Sequence, residues 1–172
     1  MRKIILVLLT LLSFQTFAQN MDERGYIVSE GEKAPSFELQ LLSGETLTND
    51  MLLGKVVVLQ FTASWCSVCR KEMPHLEEEV WQRFKSEDFL LIGLDLKEDE
   101  EIAKAFAEKM GVTYPMASDL DGRLFELFAG PNQGVTRNVV IDKKGEIVFL
   151  TRLFEIEEFQ EMVKVIELEL AK

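Results

Sequence analysis

Apolar residues along the chain fall either in consecutive or alternating runs, or at every third or fourth position, and the changes between these patterns predict its elements. Residues 34–42 alternate, with Phe37, Leu39 and Leu41 set against Ser36, Glu38 and Gln40, and predict a half-buried strand led by Pro35. Ser43-Gly44-Glu45 predicts a turn into a short strand ending near Leu47, and residues 48–53 predict one helical turn stopped by Gly54. Residues 55–61 carry the run Val56-Val57-Val58-Leu59 and predict a buried strand. From Val68 to Phe84 the period becomes helical, through Met73, Leu76, Val80 and Trp81. Pro74 lies inside that helix, removes one hydrogen bond and predicts a kink.

The same reading continues to the C-terminus. Residues 89–95 predict a second buried strand, and residues 98–110 an amphipathic helix with Ile102, Phe106 and Met110 inward, ended by Gly111. Residues 112–117 are short and extended, Asp121-Gly122 turns into a helix over 123–128, and 129–136 form a loop. Strands over 138–141 and 147–151 flank the turn Asp142-Lys143-Lys144-Gly145. A terminal helix over 156–170 turns Phe159, Met162, Val163, Ile166 and Leu170 inward. Strand–helix–strand alternation gives a parallel core, to which the late hairpin adds antiparallel strands.

Composition narrows the picture in two places. The 172 residues carry a formal net charge of −11, which argues against nucleic acid and anionic membrane as partners. The N-terminus departs from the globular pattern. Arg2 and Lys3 precede an apolar stretch from Ile4 to Leu12, and Ser13 to Ala18 ends in a small residue. This predicts a signal peptide over 1–18, cut after Ala18, and a mature chain in the periplasm or otherwise exported. An uncleaved anchor is the alternative. Residues 19–30 are polar and predict a flexible segment, leaving one domain over 31–172.

The candidate chemistry sits between the first buried strand and the helix that follows it. Cys66 and Cys69, the two cysteines of the chain, stand three apart in Trp65-Cys66-Ser67-Val68-Cys69. Residues three apart share a helix face, so the pair can close a small disulfide ring. The helix N-terminus favours an anion, and a thiolate there is stabilised. So short a loop removes little chain entropy, which argues for a redox pair over a structural staple. Cys66 is the expected nucleophile and Cys69 the resolving thiol. Glu72, one turn beyond Cys69, is the expected proton-handling carboxylate, against the plainer reading of a solvated helix charge. Gln60 replaces any titratable group in the preceding strand and predicts buried hydrogen bonds. Trp65 is a candidate contact for substrate, or else an edge tryptophan. Structural zinc needs four N or S donors, and the chain offers two cysteines and His75; a metal bridged between two chains is the residual metal reading. The run Glu77-Glu78-Glu79 reads as a solvated face.

Several stretches together resemble the secreted thioredoxin-like family that includes the TlpA and ResA type proteins. They are Gly31-Glu32-Lys33-Ala34-Pro35-Ser36-Phe37, Leu53-Gly54-Lys55-Val56-Val57-Val58, Ala63 through Pro74, and Gly134 through Asp142 followed by Gly145. The resemblance implies an α/β thioredoxin-like three-layer sandwich with a central mixed sheet, an N-terminal β-hairpin extension and a helical insertion. It implies disulfide exchange with exported cysteine-containing proteins, no bound cofactor, electrons from a membrane partner, and a functional glutamate at Glu72. It leaves the oligomeric state open.

Two departures bear on mechanism. The dipeptide between the cysteines is Ser67-Val68, where the family ends in proline, and Thr136 stands where the family places a cis-proline facing the cysteines. Val135–Thr136 is therefore expected to be trans, since a cis bond before a non-proline residue costs about 3–4 kcal/mol. Val135 and Thr136 remain the expected seat for substrate backbone, with the Thr136 hydroxyl placed to hydrogen-bond a sulfur. Two other classes stand as competitors. A peroxiredoxin-like peroxidase would need a P-x-x-x-T-x-x-C pattern, and Ala63 occupies the threonine place. A substrate-binding or chaperone-like module with a slow Cys pair would fit the loss of the proline.

Overall fold

The structure, a computed structural model, describes residues 21–172. The expected signal peptide lies outside the described residues. A two-stranded antiparallel hairpin, β1 (Glu38–Gln40) and β2 (Thr46–Thr48), leads through α1 (Asn49–Leu52) into the central strand β3 (Val56–Thr62). After it come α2 (Ser67–His75), a π-helical stretch (Leu76–Trp81) and α3 (Gln82–Phe84). Then follow β4 (Phe89–Leu96), α4 (Glu100–Met110), β5 (Met116–Asp119), α5 (Arg123–Glu126), β6 (Arg137–Ile141), β7 (Ile147–Arg152) and α6 (Ile156–Leu170). The main sheet runs β5-β4-β3-β6-β7. Its β3–β4 and β4–β5 pairs are parallel, and β3–β6 and β6–β7 antiparallel. This is the mixed-sheet α/β sandwich that the pattern implies.

Every residue of β3 is buried, because both edges are paired and both faces covered. Val57, Leu59 and Phe61 face one core with Leu39, Leu47, Phe125 and Phe128. Val56 and Val58 face the other, with Met73, Leu76 and Val80 from the α2 side and Phe159, Met162, Val163 and Ile166 from α6. Gln60 and Thr62 continue this second face beneath α2, as the two-residue period of a strand requires.

Four details depart from the pattern. The strand expected over 34–42 shortens to Glu38–Gln40 because its first part docks elsewhere, with the Ala34 N–H on the Gly145 carbonyl. Pro74 has no N–H to offer the preceding turn, and the helix beyond it runs in the wide π form, with the Gln82 N–H on the Glu77 carbonyl, before tightening into α3. Glu77 is not solvated: it is buried and accepts from the Thr113 N–H at 2.7 Å and hydroxyl at 2.7 Å, tying this helix to the loop before β5. On α4 the buried face is Ala103 and Phe106, while Ile102 is exposed.

The largest correction concerns the segment expected to be flexible over 19–30. Its described part is docked, although it forms no helix or strand. Tyr26 is fully buried, and its hydroxyl donates to the carbonyl of Thr151 at 2.6 Å, with the carbonyl of Asn138 at 3.2 Å. The buried Arg137 guanidinium stacks 4.4 Å from the Tyr26 ring centroid and donates to the Arg24 carbonyl at 2.7 Å. Local polarity concealed this, because the anchoring partners are more than a hundred positions away.

Candidate active site

The Cys pair stands where the edge of the sheet meets the first turn of α2. Cys66 is the N-cap of α2 and Cys69 lies in its first turn, with a Cα–Cα distance of 5.3 Å, and the two are joined as a disulfide. Cys66 is 8 % exposed and Cys69 fully buried, so an incoming disulfide meets Cys66 first. The Cys66 sulfur accepts the Cys69 N–H at 3.2 Å. A sulfur in the N-cap position takes the place of the usual capping oxygen, and the unsatisfied N–H groups of the first turn favour its anion.

Thr136 closes the site from the opposite side. Its hydroxyl oxygen lies 3.2 Å from the Cys66 sulfur and 3.3 Å from the Cys69 sulfur. Neither sulfur of a disulfide carries a proton, so the hydroxyl is the donor. The residue is 2 % exposed, and no peptide bond among the described residues is cis. The Val135 side chain is also buried, in the core that holds Phe37, Phe125 and Phe128, so only its main chain is left for a substrate. Trp65 is 61 % exposed beside the buried Cys66 and offers an apolar face at the rim.

Glu72 is buried beneath the pair and makes no hydrogen bond to either sulfur. Its carboxylate accepts from the Asn138 side-chain amide at 2.6 Å and from the Gln60 amide at 3.5 Å. Strand register supplies these partners. Gly93 of β4, Gln60 of β3, Asn138 of β6 and Thr151 of β7 lie directly opposite one another across four strands, forming one row under α2. Asn138 also donates to the Thr151 hydroxyl at 2.9 Å, and Gln60 accepts from the Tyr114 hydroxyl at 2.8 Å. Gly93 leaves the space: a Cβ there would collide with the Met116 sulfur and press on the Tyr114 ring. Burial pushes Glu72 up to about 7, against the pull of the Asn138 and Gln60 donors toward the ionised form. Burial, and then the Glu72 charge, also raises Tyr114 well above the ordinary phenol value. Glu72 can therefore hold or release a proton near neutral pH.

Of the residues singled out in the sequence, the structure brings Cys66, Cys69 and Thr136 into contact, leaves Trp65 exposed at the rim, buries the Val135 side chain, sets Glu72 beneath the pair and gives Gln60 buried hydrogen bonds. The sequence reading missed Asn138, Tyr114 and Thr151. The available signal was Asn138 opening an otherwise apolar strand, but linking it to Glu72 required the register of β3 with β6. Among the described residues, no group of three or more His, Cys, Asp or Glu side chains is arranged to hold a metal ion.

With this geometry in view, comparison with known proteins assigns the chain. The profile of the AhpC/TSA family matches residues 30–150. The chain belongs to the AhpC/TSA family, as a thioredoxin-like protein of the TlpA/ResA type. It is 28% identical over 169 residues to the thiol-disulfide oxidoreductase ResA of Halalkalibacterium halodurans, covering 95% of this chain and 94% of that one. It is 32% identical over 119 residues to ResA of Bacillus thuringiensis, covering 69% of this chain and 66% of the relative. Among solved structures, a candidate protein disulfide isomerase from Bacteroides thetaiotaomicron superposes with a TM-score of 0.83 at 50% identity, over 86% of this chain and 94% of that one. A candidate thiol:disulfide interchange protein DsbE from Chlorobium tepidum shares the fold, with a TM-score of 0.71 at 24% identity over 83% of this chain and 99% of that one. Within this family the Cys66–Cys69 pair is the redox centre.

Proposed function

We propose that this thiol–disulfide oxidoreductase acts on exported cysteine-containing proteins as a reductant, with Cys66 as nucleophile, Cys69 as resolving thiol and Glu72 as proton carrier. The observation that carries the two cysteine roles is the asymmetry of the pair: Cys66 caps α2 and is 8 % exposed, while Cys69 is fully buried. The Cys66 thiolate attacks one sulfur of a substrate disulfide, and the other substrate sulfur leaves as thiolate and takes up a proton. Cys69 then attacks the Cys66 sulfur of the mixed disulfide. Its proton passes toward Glu72, the second substrate sulfur leaves, and the internal disulfide forms. A dithiol partner at the membrane must return two electrons for another cycle. The Thr136 hydroxyl and the Cys69 N–H stabilise the Cys66 sulfur whenever it carries charge. Arg2, Lys3 and the apolar run to Leu12 support export to the periplasm or beyond. A peroxidase reading is less favoured, because Ala63 replaces the threonine of the peroxidatic pattern.

Two measurements test the proposal. Cys69→Ser should accumulate a mixed disulfide with a substrate protein, and Cys66→Ser should not; the reverse result would exchange the two roles. Equilibration of the pair against glutathione should give a potential near that of thioredoxin, about −270 mV, if the chain is a reductant. A value near DsbA, about −120 mV, would make it a disulfide donor.

A further inference from the structure

A second acid is buried on the same face of the sheet, one strand over from β3. Asp95 of β4 lies opposite Thr62 at the end of β3 and is fully buried. With Asp95 ionised, neither of its carboxylate oxygens has a hydrogen-bond donor. The charged group that acts on it is the carboxyl of Glu98, itself buried, in the loop between β4 and α4. Glu98 in turn grips the segment that carries the nucleophile: one oxygen accepts the Ser64 N–H at 2.6 Å and the other accepts the Ser64 hydroxyl at 2.5 Å. Arg70 of α2 holds the same residue from the other side, donating to the Ser64 carbonyl at 2.6 Å. Ser118 of β5 anchors Glu98 itself by donating to its carbonyl at 2.5 Å. Ser64 is followed by Trp65 and Cys66, so the Glu98 carboxyl and the Arg70 guanidinium fix the approach to the redox pair.

An unpaired buried carboxylate beside another carboxylate is strongly disfavoured, and a shared proton resolves it. We propose that Asp95 and Glu98 are positioning residues that hold one proton between them, with Asp95 donating to Glu98, and that this pair locks the Ser64–Trp65 turn in place for exchange at Cys66. The role rests on the thiol chemistry proposed above. Burial, and then Glu98, pushes Asp95 up to about 8. Burial also pushes Glu98 up, but the Ser64 donors and Asp95 outweigh it and hold Glu98 below the ordinary glutamate value. The other charge acting on the pair is Asp99 ahead of α4, while Arg70 on α2 meets the Ser64 carbonyl; β3 brings the uncharged Thr62. When the shared proton is lost, two adjacent carboxylates repel, and the contact able to give way is the one between Glu98 and Ser64.

The test uses the full chain in its disulfide form, where no thiol titrates, with Trp81→Phe so that Trp65 is the remaining indole. Trp65 emission should change in a single step with a midpoint of about 8, the value set by Asp95 burial and its Glu98 neighbour. Asp95→Asn, whose amide donates to Glu98 at every pH, should abolish the step, and Glu98→Gln should move its midpoint down. In reduced protein at pH 7, Glu98→Ala should slow exchange about tenfold, and Glu98→Gln, which keeps an acceptor for Ser64, should restore most of it. No step in the parent protein, or an unchanged step in Asp95→Asn, overturns the proposal. Absence of exchange in the parent protein would instead count against the thiol reading, because the emission step is read without any thiol.

Discussion

Glu72 and Asp95 are both buried on the α2 face of one sheet, but their surroundings differ in kind. Glu72 lies over a row of neutral polar groups, and the Asn138 amide donates to it at 2.6 Å. Asp95 has no neutral donor and faces the carboxyl of Glu98. Burial drives both toward the protonated form. At Glu72 the amides partly restore the anion, leaving a proton affinity near neutrality. At Asp95 the neighbouring charge adds to burial and carries it higher. The difference teaches that an acid suited to passing protons needs donors that tolerate its charge, whereas an acid whose proton is part of the scaffold needs a neighbour that forbids the charge.

The contrast breaks most sharply at Glu72. Its native value of about 7 exceeds the ordinary 4.5, so the folded state binds the proton more tightly. Stability from this group is complete below pH 4.5 and is lost as pH rises through about 7. Glu72→Gln should therefore be more stable than the parent by about 3 kcal/mol at pH 8 and no more stable at pH 4, as read by urea unfolding. If Glu72 accepts the Cys69 proton as proposed, the same variant should slow disulfide exchange about a hundredfold. Equal stability of the two proteins at pH 8 would mean that the amide row fully compensates the charge.

Removing the donor tests the other half of the contrast. Asn138→Leu leaves the Glu72 anion with the long Gln60 contact alone, and should cost about 2 kcal/mol at pH 8 and less at pH 5. A cost independent of pH would assign Asn138 to packing and to its bond with Thr151. Smaller effects are expected where each pocket approaches the surface. Thr136 stands two residues before Asn138 on the Glu72 side. Thr136→Ala should slow alkylation of reduced Cys66 about threefold at pH 7 and cost about 1 kcal/mol, since a single hydroxyl donor to sulfur is lost. Trp65 adjoins Ser64 on the Asp95 side. Trp65→Ala should leave stability within about 0.5 kcal/mol, because the indole is exposed, and should raise KM for a protein substrate while sparing a small disulfide such as oxidised glutathione.

The sequence by itself determined the elements and the redox pair. A run of β-branched residues can be a buried strand from Val56 onward, and a period of three to four from Val68 onward can be a helix; both follow from local geometry. The placement of Cys66 and Cys69 at the junction follows from the same reading, and so does the absence of proline at Thr136. These are short-range facts, carried by neighbours in the chain. Tertiary structure decided what each buried polar group meets. Whether Glu72 is a solvated charge or a tuned acid depended on Gln60, Asn138 and Thr151 lining up in one row, which is a matter of strand register across β3, β6 and β7. Polar residues 21–30 looked loose until Tyr26 met the strand ends at Asn138 and Thr151. Asp95 ended a strand and Glu98 opened a helix in the sequence pattern, and only the fold buried Asp95 without a donor and set Glu98 on Ser64. The physical reason is common to all three cases. Apolar burial is non-directional and is written in periodicity, whereas a hydrogen bond needs a particular atom at a particular place, and that place is set by chain segments far apart in sequence.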